Sequence, residues 1–276
     1  MKTLLALATG LEMGWNVCCL IPALRNHSRN FDKTIIVCRP KEEYLMEDFA
    51  DVFVHYEPKG HSDRWLLNGR CAKMPEKIAH AYPGAEIRRP GRRKCMKWKR
   101  EYFKYGQEPT DERYQIVFHA RHMNKYGQGH WNYPPEWYSK ALKILDIDPK
   151  RCASIGLPNG SYHVSRTIDL RGIDMKRLCR ILAHSRLCVG SSSGPMHLAS
   201  LCGCRHVVIT GNEWQKAINA TNKKRYKQLW NPFKTECIVL DKDKWRPRPE
   251  KVAKAVAKML EGKNTFGSSF SAGDSQ

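Results

Sequence analysis

Short apolar, β-branched runs recur along this chain, each followed by a helix-like segment. That alternation narrows the fold to parallel sheet wrapped by helices. Leu4–Ala8 suits a buried strand, and a Gly-containing turn from Thr9 to Gly14 follows it. Val17–Asn26 is helix-like apart from Pro22, Thr34–Cys38 (TIIVC) reads as a second strand, Glu42–Ala50 as an amphipathic helix and Val52–Tyr56 as a third strand. From Gly60 to Pro109 the periodicity fades, and a fresh series then begins. It runs Gln115–Ala120 strand, Pro135–Leu145 helix, Cys152–Ile155 strand, then a helix over Asp174–Ala183 with Asp174 as its N-cap. Leu187–Val189 strand, Gly194–Cys202 helix, His206–Thr210 strand and a terminal helix at Val252–Leu260 complete it. The expected architecture is α/β, with two Rossmann-like halves facing across a cleft. The break near Pro109–Arg113 sets an N-terminal domain at 1–110 and a C-terminal one at 111–261, with a Gly/Ser-rich flexible tail at 262–276.

A chain of 276 residues with 41% hydrophobic content is large enough for such a core and too apolar for global disorder. Lys2 and the apolar run Thr3–Thr9 imitate a signal peptide, but Glu12 interrupts it and a helix-like stretch follows, so the run reads as a first strand. No stretch approaches the roughly 18 apolar residues of a membrane span. The 11 cysteines are odd in number and scattered through apolar runs, as reduced buried residues of a cytoplasmic protein would be. Cys202 and Cys204 lack CxxC spacing and a second Cys/His pair, so no structural metal is expected.

The most informative stretch is Leu187–Gly211, LCVGSSSGPMHLASLCGCRHVVITG, which reads as strand, Ser/Gly turn, helix and strand. The turn Gly190–Gly194 offers hydroxyls and backbone N–H groups at a helix N-terminus, a natural place for a phosphate. His197, one turn into the helix, stands on the side that could face the same ligand; an ordinary capped helix with a core histidine is the other reading. Ser192–Ala199 resembles the (D/S)SGxxHLA turn of the heptosyltransferase-like glycosyltransferases of the GT-B fold. Thr167–Leu182 and His130–Trp137 (HWNYPPEW) resemble that family's segments upstream, Tyr226–Leu240 its approach to the last strand, and Met13–Leu24 its Gly-Asp turn and PAL helix. The likeness covers most of 110–260 and, more thinly, 1–60.

The resemblance implies transfer from a nucleotide-sugar donor (UDP- or ADP-linked) to a hydroxyl, with no further cofactor. It implies a donor-diphosphate site at Ser192, Ser193, Gly194 and His197, and a basic contact after the first strand of the second half, where Arg121 is preferred over His119 and Lys125. Where the family has its catalytic Asp, this chain has Asn16, which is a poor proton acceptor; Glu12 in the same turn is the substitute carboxylate, with Asp63 or His61 as alternatives.

The charge says what else to expect. With 48 Lys+Arg against 27 Asp+Glu, the net charge is +21, far more than a diphosphate requires. Arg88, Arg89, Arg92, Arg93, Lys94, Lys97 and Arg100 alternate with aromatics at Trp98, Tyr102, Phe103 and Tyr105, a composition that suits a phosphate backbone. Lys216, Lys223, Lys224, Arg225 and Lys227 form a second cluster. The expected acceptor is therefore the hydroxymethylated base of duplex DNA, as for phage enzymes of this kind. A lipopolysaccharide or other glycan is the alternative acceptor, and a decayed transferase that only binds nucleic acid is a third reading.

Overall fold

The computed structural model describes residues 1–9, 11–57, 74–89, 97–123, 129–215 and 220–261. The first half is a parallel sheet of β1 (Thr3–Leu7), β2 (Lys33–Cys38), β3 (Val52–His55) and β4 (Glu86–Arg88), in spatial order β3-β2-β1-β4. The second is built on β5 (Ile116–Arg121), β6 (Cys152–Ser154), β8 (Ile168–Asp169), β9 (Cys188–Ser191), β10 (His206–Ile209) and β13 (Cys237–Leu240). Its order, β13-β10-β9-β5-β6-β8, is all parallel and places the first strand centrally with the chain winding out both ways, the doubly wound pattern. The short β7 (Ser161–Tyr162) adds antiparallel to β5, and β11 (Trp214–Gln215) pairs antiparallel with β12 (Ala220–Thr221). The α/β architecture with two Rossmann-like halves is as expected.

Among the described residues the α-helices are α1 (Met13–Trp15), α2 (Ile21–Ser28), α3 (Glu76–His80), α4 (Pro135–Ile144), α5 (Met175–His184), α6 (Gly194–Leu201), α7 (Asn222–Arg225) and α8 (Pro249–Glu261). Between α1 and α2 the backbone widens into a π turn, Asn16–Leu20, and Pro22 explains why. A proline inside a helix cannot donate to the carbonyl four residues back and collides with it. Here that carbonyl belongs to Cys18; the wide turn relieves it, and the Tyr102 hydroxyl donates to it at 3.2 Å. Asp174 caps α5 as expected, its carboxylate accepting from the Arg177 N–H at 2.9 Å.

The expected helix at Glu42–Ala50 does not form; only a 3₁₀ turn, Glu43–Leu45, is present. The Leu45 carbonyl accepts from Arg25 (3.2 Å) and from the Tyr105 hydroxyl (2.9 Å) instead of from residue 49. Phe49 N–H turns to Met46. The stretch of faded periodicity hides α3 and β4: β4 is a three-residue edge strand with every residue half-buried, so neither length nor alternation announces it. β1 is buried as the sequence suggests. Nine cysteines are among the described residues, all free, and eight of them are buried; Cys71 and Cys95 lie outside.

One continuous apolar cluster joins the halves, running from Leu4, Trp15 and Leu20 to Leu178, Met196, Leu198 and Trp230. The expected boundary at Pro109–Arg113 falls in the irregular segment leading to β5. Its neighbour, residues 101–107, straps both halves: Glu101 N–H donates to Pro22, Tyr105 N–H to Leu201, and the Gln107 amide to Cys202. Tyr105 is fully buried and Tyr102 half-buried in that strap, so these two aromatics serve packing. Among the described residues no helix is long and apolar enough to cross a membrane.

Candidate functional site

Two strand–turn–helix units meet at the junction of the halves. In the first, β1 leads through Ala8, Thr9 and Leu11 to Glu12, the residue before α1, whose carbonyl accepts from the Asn16 N–H at 3.0 Å. The Glu12 side chain is exposed and makes no capping bond. Asn16 is buried, and its amide donates to the Ala8 carbonyl at 3.1 Å, tying the end of the strand to the helix. An ionised carboxylate cannot donate, so at this position the amide does work an aspartate would not. Asn16 Oδ1 is buried without a hydrogen-bond partner among the described residues.

In the second unit, β9 leads through Ser192 to Ser193, which precedes α6. The Ser193 hydroxyl does not cap the helix. It lies 2.8 Å from the Ser191 carbonyl and 2.9 Å from His119 Nδ1. A hydroxyl has one proton, and the carbonyl can only accept, so Ser193 donates to Ser191 and accepts from His119. Burial, then the neighbouring Arg121 charge, push the His119 pKa down to about 3. His119 is thus neutral, with its hydrogen on Nδ1 and a bare lone pair on Nε2. Because the Ser193 proton is directed inward, what the turn can donate outward comes from the Ser192 hydroxyl and the first N–H groups of α6. Pro195 supplies none, which leaves Gly194 and Met196.

The units touch through glycines. A Cβ on Gly194 would sit 2.7 Å from Met13 Cβ and Cγ, and one on Gly14 would overlap the His197 ring. No larger residue allows α1 and α6 to approach this closely. His197 lies beneath that contact, 5% exposed, stacked on Trp230 at 4.5 Å and 14°. Trp230 in turn meets Trp15 edge-on at 4.9 Å. Burial holds His197 neutral, and its Nδ1 has no partner among the described residues. The ring is a wedge between the halves.

Arg121, at the end of β5, is 6% exposed and donates to Asn132 Oδ1 at 3.0 Å over the Trp131 ring. Burial lowers its pKa, and the negative charge of Glu12 opposes that shift, so the two side chains share a field across the junction. Beyond them Trp131 stacks on Trp245 (5.3 Å), whose indole N–H donates to Glu213 at 2.6 Å; the Asn222 amide donates to the other Glu213 oxygen at 2.6 Å. Sequence reasoning missed His119 as a partner of Ser193, gave no role to Trp131 and Asn132 although it quoted the HWNYPPEW stretch that holds them, and missed Glu213 and Trp245. The aromatic HWNY run was the only local signal for two of them.

Lys125 lies outside the described residues, as do Arg92, Arg93, Lys94, Lys216, His61, Asp63 and the tail from Gly262. Arg88 pairs with Glu86 at 2.7 Å, Arg100 reaches the Cys19 sulfur at 3.9 Å, and Trp98 packs against the core. Arg89 and Lys97 are exposed. In the second basic cluster Lys223 pairs with Asp241 at 3.6 Å and Arg225 lies over Trp230. Among the described residues no three His, Cys, Asp or Glu side chains gather to hold a metal.

Buried neutral histidines make a pH prediction. His206 is pushed down to about 4 by burial, against the Cys204 carbonyl that accepts from its Nδ1. Below pH 6.5 the unfolded chain takes up a proton that native His206 refuses until about pH 4, so stability falls as pH drops through that window. The expected loss is about 2 kcal/mol by pH 5 for this group. Urea unfolding at pH 7 and 5 should show His206→Phe losing less than the wild type by that amount; an equal loss would refute the assignment.

No family model matches the chain, and no curated protein sequence does. Its backbone is similar to a glycosyl transferase family 9 structure from Veillonella parvula, with TM-score 0.58 and 14% identity over 94% of this chain and 97% of that one. It is also similar to E. coli ADP-heptose lps heptosyltransferase II (TM-score 0.55, 13% identity, 94% and 98% covered). E. coli heptosyltransferase WaaC with ADP gives TM-score 0.52 at 13% identity, covering 94% and 99%. The shared feature is the fold, two Rossmann-like halves of the GT-B type.

Proposed function

We propose that the chain is a glycosyltransferase that moves a sugar from a nucleotide-sugar donor to an acceptor hydroxyl. The observation that carries this reading is the convergence of Glu12, Arg121 and the N-terminus of α6 where the two halves meet. In the proposed step the acceptor proton passes to the Glu12 carboxylate, the acceptor oxygen bonds the sugar, and the bond to the diphosphate breaks. The departing charge is met by the N–H groups of Gly194 and Met196, the Ser192 hydroxyl and Arg121. His197 supports this pocket from beneath, and Asn16 holds the turn that carries Glu12. No cofactor beyond the donor is required.

For the acceptor, the similarity to heptosyltransferase structures favours a glycan, such as a lipopolysaccharide sugar. Hydroxymethylated DNA is the second reading, favoured by the +21 charge. Thermal shift against UDP- and ADP-sugars tests the donor: a true donor at a hundred times its Kd stabilises the native state by about 2.7 kcal/mol. A panel in which no nucleotide sugar or diphosphate shifts the melting would sink the enzyme reading and leave a decayed scaffold. With the donor known, transfer to a lipopolysaccharide core against transfer to hydroxymethylated duplex decides the acceptor.

A further inference from the structure

A cavity of about 240 Å³ opens on the flank of the first half, lined by Ala23, Asn26, His27, Arg88, Trp98 and Lys99. Three of its residues come from one face of α2, one from the edge strand β4, and two from the segment that follows. It lies roughly 16–22 Å from Glu12 along the helical run, taking 1.5 Å per residue, so it is separate from the junction site. Its volume is below the roughly 300–1,000 Å³ of sites for drug-sized ligands, which suits one ring-bearing unit.

The walls divide by chemistry. Trp98 is half-buried against the core, so its indole is fixed. Arg88 is fixed too: its Nε donates to His27 Nε2 at 3.0 Å and its Nη2 pairs with Glu86 at 2.7 Å, while Nη1 has no partner among the described residues. His27 Nε2 also lies 3.3 Å from Glu86 Oε1, so the imidazole joins the Arg88–Glu86 cluster in the pocket wall. Asn26 adds an amide, and Lys99 is exposed beside Trp98. Arg89 and Lys97 extend the positive charge beyond the rim. A held aromatic plane, a held cation, two edge-type hydrogen-bonding groups and flanking positive charge match the needs of a base with its phosphate.

We propose that this pocket is an exosite for a nucleic-acid strand, seating one nucleotide with its base against Trp98 and its phosphate between Arg88 and Lys99. A polymer fits better than a free nucleotide, because Arg89 and Lys97, the chain neighbours of Arg88 and Trp98, are exposed cations as well and the whole chain carries +21. The exosite does not depend on the glycosyltransferase reading, since strand binding is measured without donor.

The test uses the full chain and a labelled mixed-sequence single-stranded DNA 12-mer in fluorescence anisotropy. A matched abasic strand keeps the phosphates and removes the bases. The intact strand should bind about tenfold tighter than the abasic one, within the range of a single base–aromatic stack. Four cations on the strand predict a log–log salt slope of about −3. Trp98→Ala should erase the preference for bases while leaving abasic binding unchanged. Lys99→Glu, an exposed change that leaves the core alone, should weaken both strands and leave nucleotide-sugar thermal shifts as they were. If Trp98→Ala does not fold, the intact-versus-abasic comparison on the wild type decides. Equal binding of the two strands, or wild-type affinity in Lys99→Glu, overturns the proposal. So does capture of a phosphorylated oligosaccharide in place of the strand.

Discussion

Replacing Arg25 by methionine should cost about 2–4 kcal/mol of stability, since its buried guanidinium supplies hydrogen bonds that are worth roughly 1.5–3 kcal/mol when a charged group takes part. Arg25 is 4% exposed. It donates to both oxygens of Asp48, at 2.6 and 2.9 Å, to the carbonyls of Leu45 and Glu101, and to the Tyr105 hydroxyl at 3.0 Å. Phe49 and Phe103 lie on its guanidinium at 5.0 and 5.4 Å. Methionine matches the length but donates nothing, so the Asp48 charge loses its partner and the Glu101 carbonyl loses this donor. Burial pulls the Arg25 pKa down, but the bonds and charge of Asp48 and Tyr105 outweigh it and raise the guanidinium above its ordinary value, so it stays charged. Because Arg25 binds α2 to both the 45–48 turn and the 101–105 strap, the damage should be global. Urea unfolding checks it, and a loss under about 1 kcal/mol would show the pair to be worth no more than an exposed one.

Glu12→Gln should lower transfer roughly 10²–10⁴-fold while leaving donor binding intact, the scale of a lost proton transfer. Glutamine keeps the shape of the turn and removes the acceptor. The structure offers reasons to look here first: Glu12 is exposed at the junction, uncommitted to capping, and shares a field with Arg121. His119 is the other lone pair nearby, but a group held at about 3 is a weak base at neutral pH. Transfer at the wild-type rate in Glu12→Gln would move the base elsewhere, with Asp63 and His61 the next to change. Donor binding measured by calorimetry separates a lost base from a lost pocket.

What the sequence determined by itself is what depends on near neighbours. Continuous apolar runs marked β1, β2, β5 and β10, and helical periodicity marked α4 and α5, since each element's burial is written in its own residues. Asp174 announced its cap because the N–H it accepts from is three residues away. The Ser-Ser-Gly turn was legible for the same reason, and with it the likeness to a GT-B donor turn.

Tertiary structure decided the rest, wherever a polar group had a choice between a local and a distant partner. Residues 42–50 have a helical pattern, yet Arg25 and Tyr105 claim the Leu45 carbonyl and the helix stops. Pro22 looked like a helix break, yet Tyr102, from far along the chain, satisfies the carbonyl it strands. Ser193 looked like a phosphate donor, yet Ser191 takes its one proton while His119, 74 residues away, occupies one of its two lone pairs. Glu213 is held by Asn222 and Trp245, which only the fold brings to it. A hydrogen bond is short and directional, so its owner is settled by whichever donor the packed chain brings within 3 Å, and no local pattern records that.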